Sequence, residues 1–492
     1  MLDPLHAFLK VTTLHGEVPA VVEQGMVTTY ADLELLARRF AGEFALNASA
    51  HPKVAICLPQ TAAAYASMFG SLLAGGFYAP VNIDAPLDRQ RQILSQFDPD
   101  VIVTEEASVN AYSSIARGAR VVTSVASAEP LRGQRPGHDL AYVIFTSGTT
   151  GKPKGVRIRR ASLGHYASWA RLAMGVQPGE RWSQHPNIGF DLSVLDIYGA
   201  LTAGASLYPL QTKMDRLLPG AFVGKHHLEI WNSVPSLIDL MIRGRCLTAA
   251  NFTSVRLMTF CGEPLLKRHL DAIFKAAPHV IVHNTYGPTE ATVSCTLEVL
   301  DRESYQEKSK SSVVLGQPID GMHLRIGEEE RVGEILIAGP QVADGYWDNP
   351  EETSARFFEM KCEGEMLPAY RSGDWAELVG EDMYFSNRID DQVKIRGNRV
   401  ELGEIEATIS DLFMCEAYVV VVDGDLHCAV TQDSKLDLTE LRGRLSGVLP
   451  EYELPKSLNP LERIPVNVNG KVDRRQLRET ISAKLKEGEI DE

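Results

Sequence analysis

Between Thr146 and Gly155 the chain reads TSGTTGKPKG, directly after the strand-like run AYVIF. Gly148, Gly151 and Gly155 let the backbone approach an anion closely and turn several N–H groups toward it. Thr146, Ser147, Thr149 and Thr150 add hydroxyl donors, and Lys152 and Lys154 add positive charge. This is the equipment of a triphosphate cradle. It is not a Walker loop, because Pro153 stands where a Ser or Thr would follow the Gly151-Lys152 pair. A flexible solvated loop is the competing reading, and a strand running into so dense a cluster of hydroxyls, glycines and lysines speaks against it.

Such a loop needs a scaffold. At 492 residues the chain exceeds a single ordinary core, so two or more domains are expected. Short β-branched runs alternate with helical patterns up to about residue 385: VAICL near Val54, a helix around Ala62 to Leu73, VIVT at Val101, YVIF at Tyr142, LEIWNSV at Leu228 and VIVHNTY at Val280. This alternation predicts an α/β lobe of mainly parallel sheets covered by helices. Around Gly333, EILIAG begins short strands with Gly-rich turns, a small antiparallel region. After Asp390 a compact α+β series follows: VKIRG, ELGEIEATISDLF, AYVVVV, LHCAVTQ, LTELRGRLSGVL, a loop with NGKVDR and a charged final helix. The expected organisation is an N-terminal core over 1–389 and a small mobile domain over 390–492.

A net charge of −15 disfavours general affinity for nucleic acid or an anionic membrane surface. An anionic substrate then needs local cations, which the phosphate loop supplies. The seven cysteines are scattered without a CxxC pair or zinc-site spacing, the pattern of reduced cytoplasmic thiols. MLDPLHAFLK does not resemble a signal peptide. The long uncharged stretch from Thr61 to Ile83 is broken by Gly75, Gly76 and Pro80, which predicts a buried helix and a strand in place of a membrane span.

Together with the phosphate loop, TTYADL at Thr28, LLAGGFYAPVNID at Leu72, FDLSV at Phe190, FCGEPL at Phe260, NTYGPTE at Asn284, GEILIAGPQVADGYW at Gly333, YRSGD at Tyr370, NRIDDQVKIRGNRVELGEIE at Asn387, LPEYELP at Leu449 and NGKVDR at Asn469 resemble the adenylate-forming superfamily of acyl-CoA synthetases, luciferases and nonribosomal-peptide adenylation domains. The resemblance covers nearly the whole chain. It implies that ATP is bound by the loop from Thr146 to Lys152, by Gly262, Glu263 and Pro264, and by Asn284, Tyr286, Gly287 and Thr289. Tyr286 would stack on the adenine, Asn284 would meet its polar edge, and Glu290 would lie near the Mg2+ that bridges the phosphates. Asp374 would take the ribose hydroxyls, with Arg388 as a second ribose or phosphate contact. Lys471 matches the mobile lysine that steadies the substrate carboxylate and the α-phosphate as charge develops. The implied catalytic set is Lys471, Glu290 and Thr146. Direct attack of a carboxylate on ATP needs no protein nucleophile, and no Ser-His-Asp set is evident.

By the same resemblance, Asp191 in FDLSV matches the carboxylate that pairs with a substrate α-ammonium, although a helix cap before LSVLDIYGAL is the plainer reading. The pocket would be lined by Leu192, Leu195, Ser236, Thr259, Cys261, Thr285, Val293 and Ser294. None is charged or large and aromatic, which favours a small uncharged amino acid. FCGEPL and NTYGPTEATV look closest to the D-alanine:carrier-protein ligases, whereas QVKIRGNRVELGEIE reads more like peptide-synthetase adenylation domains. Asn387 stands where the family usually has Gly. D-Alanine is the substrate this resemblance favours, with glycine, L-alanine, serine or another small amino acid open. No carrier-like segment follows NGKVDR, so a separate carrier bearing phosphopantetheine is the expected acceptor. The small domain would turn about Asp390 to bring Gly397 to the thiol tunnel. The rivals are an acyl-CoA synthetase, which Asp191 disfavours, and a nucleotide sensor without chemistry, which the joint presence of Lys471, Glu290, Asp374 and Lys152 disfavours. A kinase would need HRD and DFG strings that the chain lacks.

Overall fold

The structure, a computed structural model, describes residues 3–46, 50–116, 118–148, 152–310, 312–327, 331–388, 391–431, 436–465 and 472–487. The chain divides into two compact units. The first comprises Met1–Asn82, Leu94–Phe145 and Gly155–Ile389; the second comprises Ile83–Ile93, Thr146–Lys154 and Asp390–Glu492.

The mixed α/β class expected from alternation is what the chain adopts, with most of the parallel strands divided between two sheets. One has six strands in the order Arg120–Val122, Val101–Thr104, Lys53–Cys57, Phe77–Pro80, Leu140–Thr146 and Lys154–Arg159. Its central pairs are parallel, and their burial on both faces explains why these strands read as continuous apolar runs. The uncharged stretch after Thr61 forms the helix Ala62–Leu73, nearly all of it buried, and then the strand Phe77–Pro80. Thr61 caps this helix by accepting from the Ala64 N–H at 3.4 Å. No helix among the described residues is long and apolar enough to cross a membrane.

The second sheet of the first unit has nine strands, ordered Gln317–Pro318, Thr296–Leu300, Ile281–Tyr286, Leu257–Phe260, Ile230–Ser233, Arg181–Gln184, Ser206–Pro209, Pro19–Glu23 and Met26–Thr29. Its middle is parallel and both ends are antiparallel. Ser233, Phe260 and Asn284 lie in register on three adjacent strands, which brings three carboxyl ends to one edge. In open parallel sheets that edge is where ligands bind. The antiparallel region begins earlier than EILIAG, at His323–Ile326, and continues through Val332–Ala338, Phe357–Cys362, Glu365–Val379 and Asp382–Arg388.

In the second unit the hairpin Gln392–Ile395 and Asn398–Glu401 precedes the helix Leu402–Phe413. A three-stranded sheet, Ala417–Val422, Asp425–Thr431 and Ser457–Leu461, packs with this helix and with Leu438–Leu445 around Ile405, Ile409, Val419, Leu441 and Leu445. VKIRG, AYVVVV and LHCAVTQ form strands as expected, and the charged final helix spans Arg474–Glu487.

Candidate active site

Thr146 to Lys154 lie in the second unit, and Thr149, Thr150 and Gly151 fall outside the described residues. A Cβ on Gly148 would sit 2.0 Å from the Lys152 carbonyl oxygen, so only glycine lets the two limbs of the loop approach. Thr146 donates its hydroxyl to the Lys154 carbonyl at 3.4 Å. Ser147 donates to the Arg399 carbonyl at 2.7 Å, in the segment after VKIRG. Lys152 is exposed and Lys154 buried. Lys471 and Asp390 also lie outside the described residues.

Gly397 lies in the second unit with a φ of 78°, and the remaining predicted residues belong to the first unit. Asn284 and Tyr286 end the strand Ile281–Tyr286, and the short helical turn Thr289–Ala291 follows. Tyr286 is half-buried and donates its hydroxyl to Asp374 at 2.7 Å. Removal of that hydroxyl from water, reinforced by the Asp374 charge, pushes its pKa well up, so it stays a neutral donor. Arg388 closes an ion pair with the other Asp374 oxygen and donates to the Ser372 carbonyl at 3.3 Å. The tyrosine ring, the carboxylate and the guanidinium thus form one connected group. Asn284 gives its amide to the Val314 carbonyl at 2.7 Å.

Glu290 is wholly buried. It accepts from the Tyr346 hydroxyl at 2.8 Å, and Tyr346 meets the Tyr370 hydroxyl at 3.2 Å. Neither tyrosine carries a spacing signal that marks it for this role. Among the described residues no group of three or more His, Cys, Asp or Glu could hold a metal by itself. A lone hard carboxylate fits Mg2+, which is usually held through one or two carboxylates with substrate phosphates and water completing its shell.

Asp191 stands at the N-cap position of the helix Leu192–Leu201, yet its side chain makes no capping hydrogen bond. The plainer reading of this residue therefore fails. The half-buried carboxylate accepts from the Thr289 hydroxyl at 2.6 Å, which links two residues that the sequence reading assigned to different substrates. Leu192, Leu195, Thr259, Cys261, Thr285, Val293 and Ser294 are all buried, and Ser236 is half-buried. Thr285 donates to the Phe260 carbonyl at 3.1 Å, and the Cys261 thiol lies 3.7 Å from the Val293 carbonyl. Glu263 accepts from the Ser236 N–H at 2.9 Å, at the start of the helix Pro235–Arg243, where a negative charge suits unpaired N–H groups. Gly262 has a φ of 96°, a conformation that favours glycine.

The connection that carries Val293 and Ser294 is held in an uncommon backbone shape. Thr292 has a φ of 56° and Val293 a φ of 73°, the latter an outlier for a β-branched residue. Strain of this kind persists only where surrounding contacts over-determine it. Those contacts are present: Thr292 donates to the Gln341 carbonyl at 2.6 Å, and the Cys295 N–H bonds the Tyr286 carbonyl at 2.7 Å.

Residues 9–347 match the family described as AMP-binding enzyme. The chain belongs to that family. It is an adenylate-forming ligase, as the ordered motifs imply. Among curated relatives it is 31% identical to the D-alanine--D-alanyl carrier protein ligase of Staphylococcus epidermidis, over 84% of this chain and 87% of that one. It is also 31% identical to the L-proline--[L-prolyl-carrier protein] ligase of Pseudomonas fluorescens, over 92% of this chain and 94% of that one. Among solved structures, the Vibrio cholerae adenylation domain AlmE in complex with glycyl-adenosine-5'-phosphate superposes with a TM-score of 0.85 at 25% identity, over 98% of both chains. The strings GEILIAGPQVADGYW and YRSGD contain Tyr346 and Tyr370, but nothing in them marked Tyr346 as a partner of Glu290 or Tyr370 as a partner of Tyr346. Their partners lie far away along the chain.

Proposed function

We propose that the protein activates a small uncharged amino acid, D-alanine first and glycine second, as its aminoacyl-adenylate and then passes it to the phosphopantetheine thiol of a separate carrier protein. The observation that carries this reading is the Asp191 carboxylate, released from helix capping and held by Thr289 beside a lining without a charged side chain. A half-buried carboxylate next to uncharged side chains attracts a cation strongly, and the α-ammonium of an amino acid is one. The preference for D-alanine draws on the relatives named for that substrate, and the glycine alternative draws on the neighbour solved with a glycyl-adenylate.

In the first half-reaction the substrate carboxylate oxygen attacks the α-phosphorus of ATP, and pyrophosphate departs with the electrons of the broken P–O bond. Asp191 orients the ammonium end. The Tyr286, Asp374 and Arg388 group holds the nucleoside, the loop from Thr146 to Lys152 grips the phosphates, and Lys471 steadies the carboxylate and the α-phosphate. Glu290 would hold Mg2+, which when bound neutralises charge on the phosphates. Positioning and electrostatics supply the rate, without a covalent enzyme intermediate. In the second half-reaction a thiol attacks the acyl carbonyl and AMP leaves.

ATP–pyrophosphate exchange across glycine and the enantiomers of alanine, serine and proline tests this reading. Exchange with small amino acids but not with the matching acids lacking an amine is expected. Equal exchange with propionate and alanine would reassign the protein to carboxylic acids without an amine.

A further inference from the structure

We infer that Tyr166, which lies outside every motif and lining position assigned above, is a specificity-determining residue that closes the floor of the amino-acid pocket. Tyr166 sits in the helix Arg160–Ala173 with its side chain wholly buried. Its hydroxyl meets the Ser294 hydroxyl at 3.2 Å, and this contact spans 128 positions of sequence.

The contact matters because Ser294 has nowhere to retreat. Its Cα also packs against Gly287 so closely that a Cβ on that glycine would lie 2.5 Å away. The Ser294 N–H bonds the Thr292 carbonyl at 2.9 Å, and its neighbour Val293 is fixed in the left-handed conformation with its carbonyl facing the Cys261 thiol. A flexible floor would yield to a longer substrate side chain, but this one is held by an aromatic hydroxyl and by a close backbone contact with a glycine. Packed interiors respond to an extra methylene with strain and not with accommodation. The Tyr166–Ser294 pair therefore restricts the substrate side chain to a hydrogen or a methyl group.

The assignment rests on the amino-acid reading above and adds the element that sets its size limit. The test is ATP–pyrophosphate exchange with glycine, alanine and 2-aminobutyrate on the wild-type chain and on Tyr166→Phe and Ser294→Ala, each of which removes one hydroxyl of the pair. In the wild type, alanine should exceed 2-aminobutyrate by about tenfold or more in kcat/KM, the usual cost of one extra methylene. In both variants that ratio should fall at least about fivefold, with KM for ATP unchanged. A uniform loss of kcat/KM with the ratio preserved would make the pair merely structural and overturn the assignment, as would a wild type that accepts 2-aminobutyrate as well as alanine. If Tyr166→Phe fails to fold, Ser294→Ala decides alone. Absence of exchange with any amino acid in the wild type would fell the functional reading itself, and the size limit with it.

Discussion

Asp191 shows how a single carboxylate can hold two readings until its hydrogen bonds are seen. Asp ahead of an apolar helical run is an ordinary N-cap, and its α-region backbone without a side-chain capping hydrogen bond shows that it is not serving as one here. If it anchors an α-ammonium, Asp191→Asn keeps the Thr289 contact and removes the charge. The expected result is a fall in kcat/KM for the amino acid of about 100-fold or more, with ATP affinity little changed, since breaking a close charge pair costs roughly 3 kcal/mol or more. Pyrophosphate exchange at varied amino acid and at varied ATP separates the two. His283, next to Asn284 and almost wholly buried, has its pKa lowered to about 4 by burial. Its unfolded value is near 6.5, so the unfolded chain takes up the proton first as pH falls. The neutral imidazole therefore contributes stability above about pH 6.5 that is lost as pH drops toward 4, about 3 kcal/mol in all. Thermal unfolding across that window should show a shallower pH slope for His283→Asn than for the wild type, and equal slopes would rule this group out.

At the scale of elements, the connection from Gly287 to Cys295 joins the residues proposed to hold the nucleotide to those proposed to line the amino-acid pocket. It returns upon itself so tightly that the Gly287 Cα faces the Ser294 Cα, and it carries two successive non-glycine residues in the left-handed region. Gly287→Ala should destabilise the protein by about 1–3 kcal/mol, the usual cost of overpacking, because the atoms it meets are backbone and cannot rotate away. Denaturant unfolding measures that loss. Adenylation should suffer beyond it, with KM raised for both ATP and the amino acid. An effect on only one substrate would show that the two groups are not mechanically joined. The strands that present these residues were legible because buried parallel strands need apolar runs of limited length. The antiparallel region was placed ten residues late, at Gly333 and not His323, because HLRI carries two polar side chains and lacks the Gly-rich turn that marks its neighbours.

For the whole molecule, the proposed chemistry has two half-reactions and one proposed catalytic lysine string, NGKVDR. Asp390→Pro, at the proposed hinge, should leave pyrophosphate exchange within about threefold of wild type while slowing thioester formation on a carrier at least about tenfold, because proline fixes the φ angle that a hinge must change. Equal slowing of both half-reactions would locate the change of state elsewhere. The sequence alone determined what depends on local composition: the α/β class, the order of strands and helices, and the glycine-rich segment that follows the strand Leu140–Thr146. Apolar periodicity and turn chemistry act over a few residues, so they can be read from a few residues. Only the tertiary structure decided which group each polar side chain serves. Thr289 meets Asp191 across 98 positions, Tyr346 meets Glu290 across 56, and Tyr166 meets Ser294 across 128. Buried hydroxyls and carboxylates must find partners wherever the packed sheets bring them, and no spacing along the chain encodes that meeting.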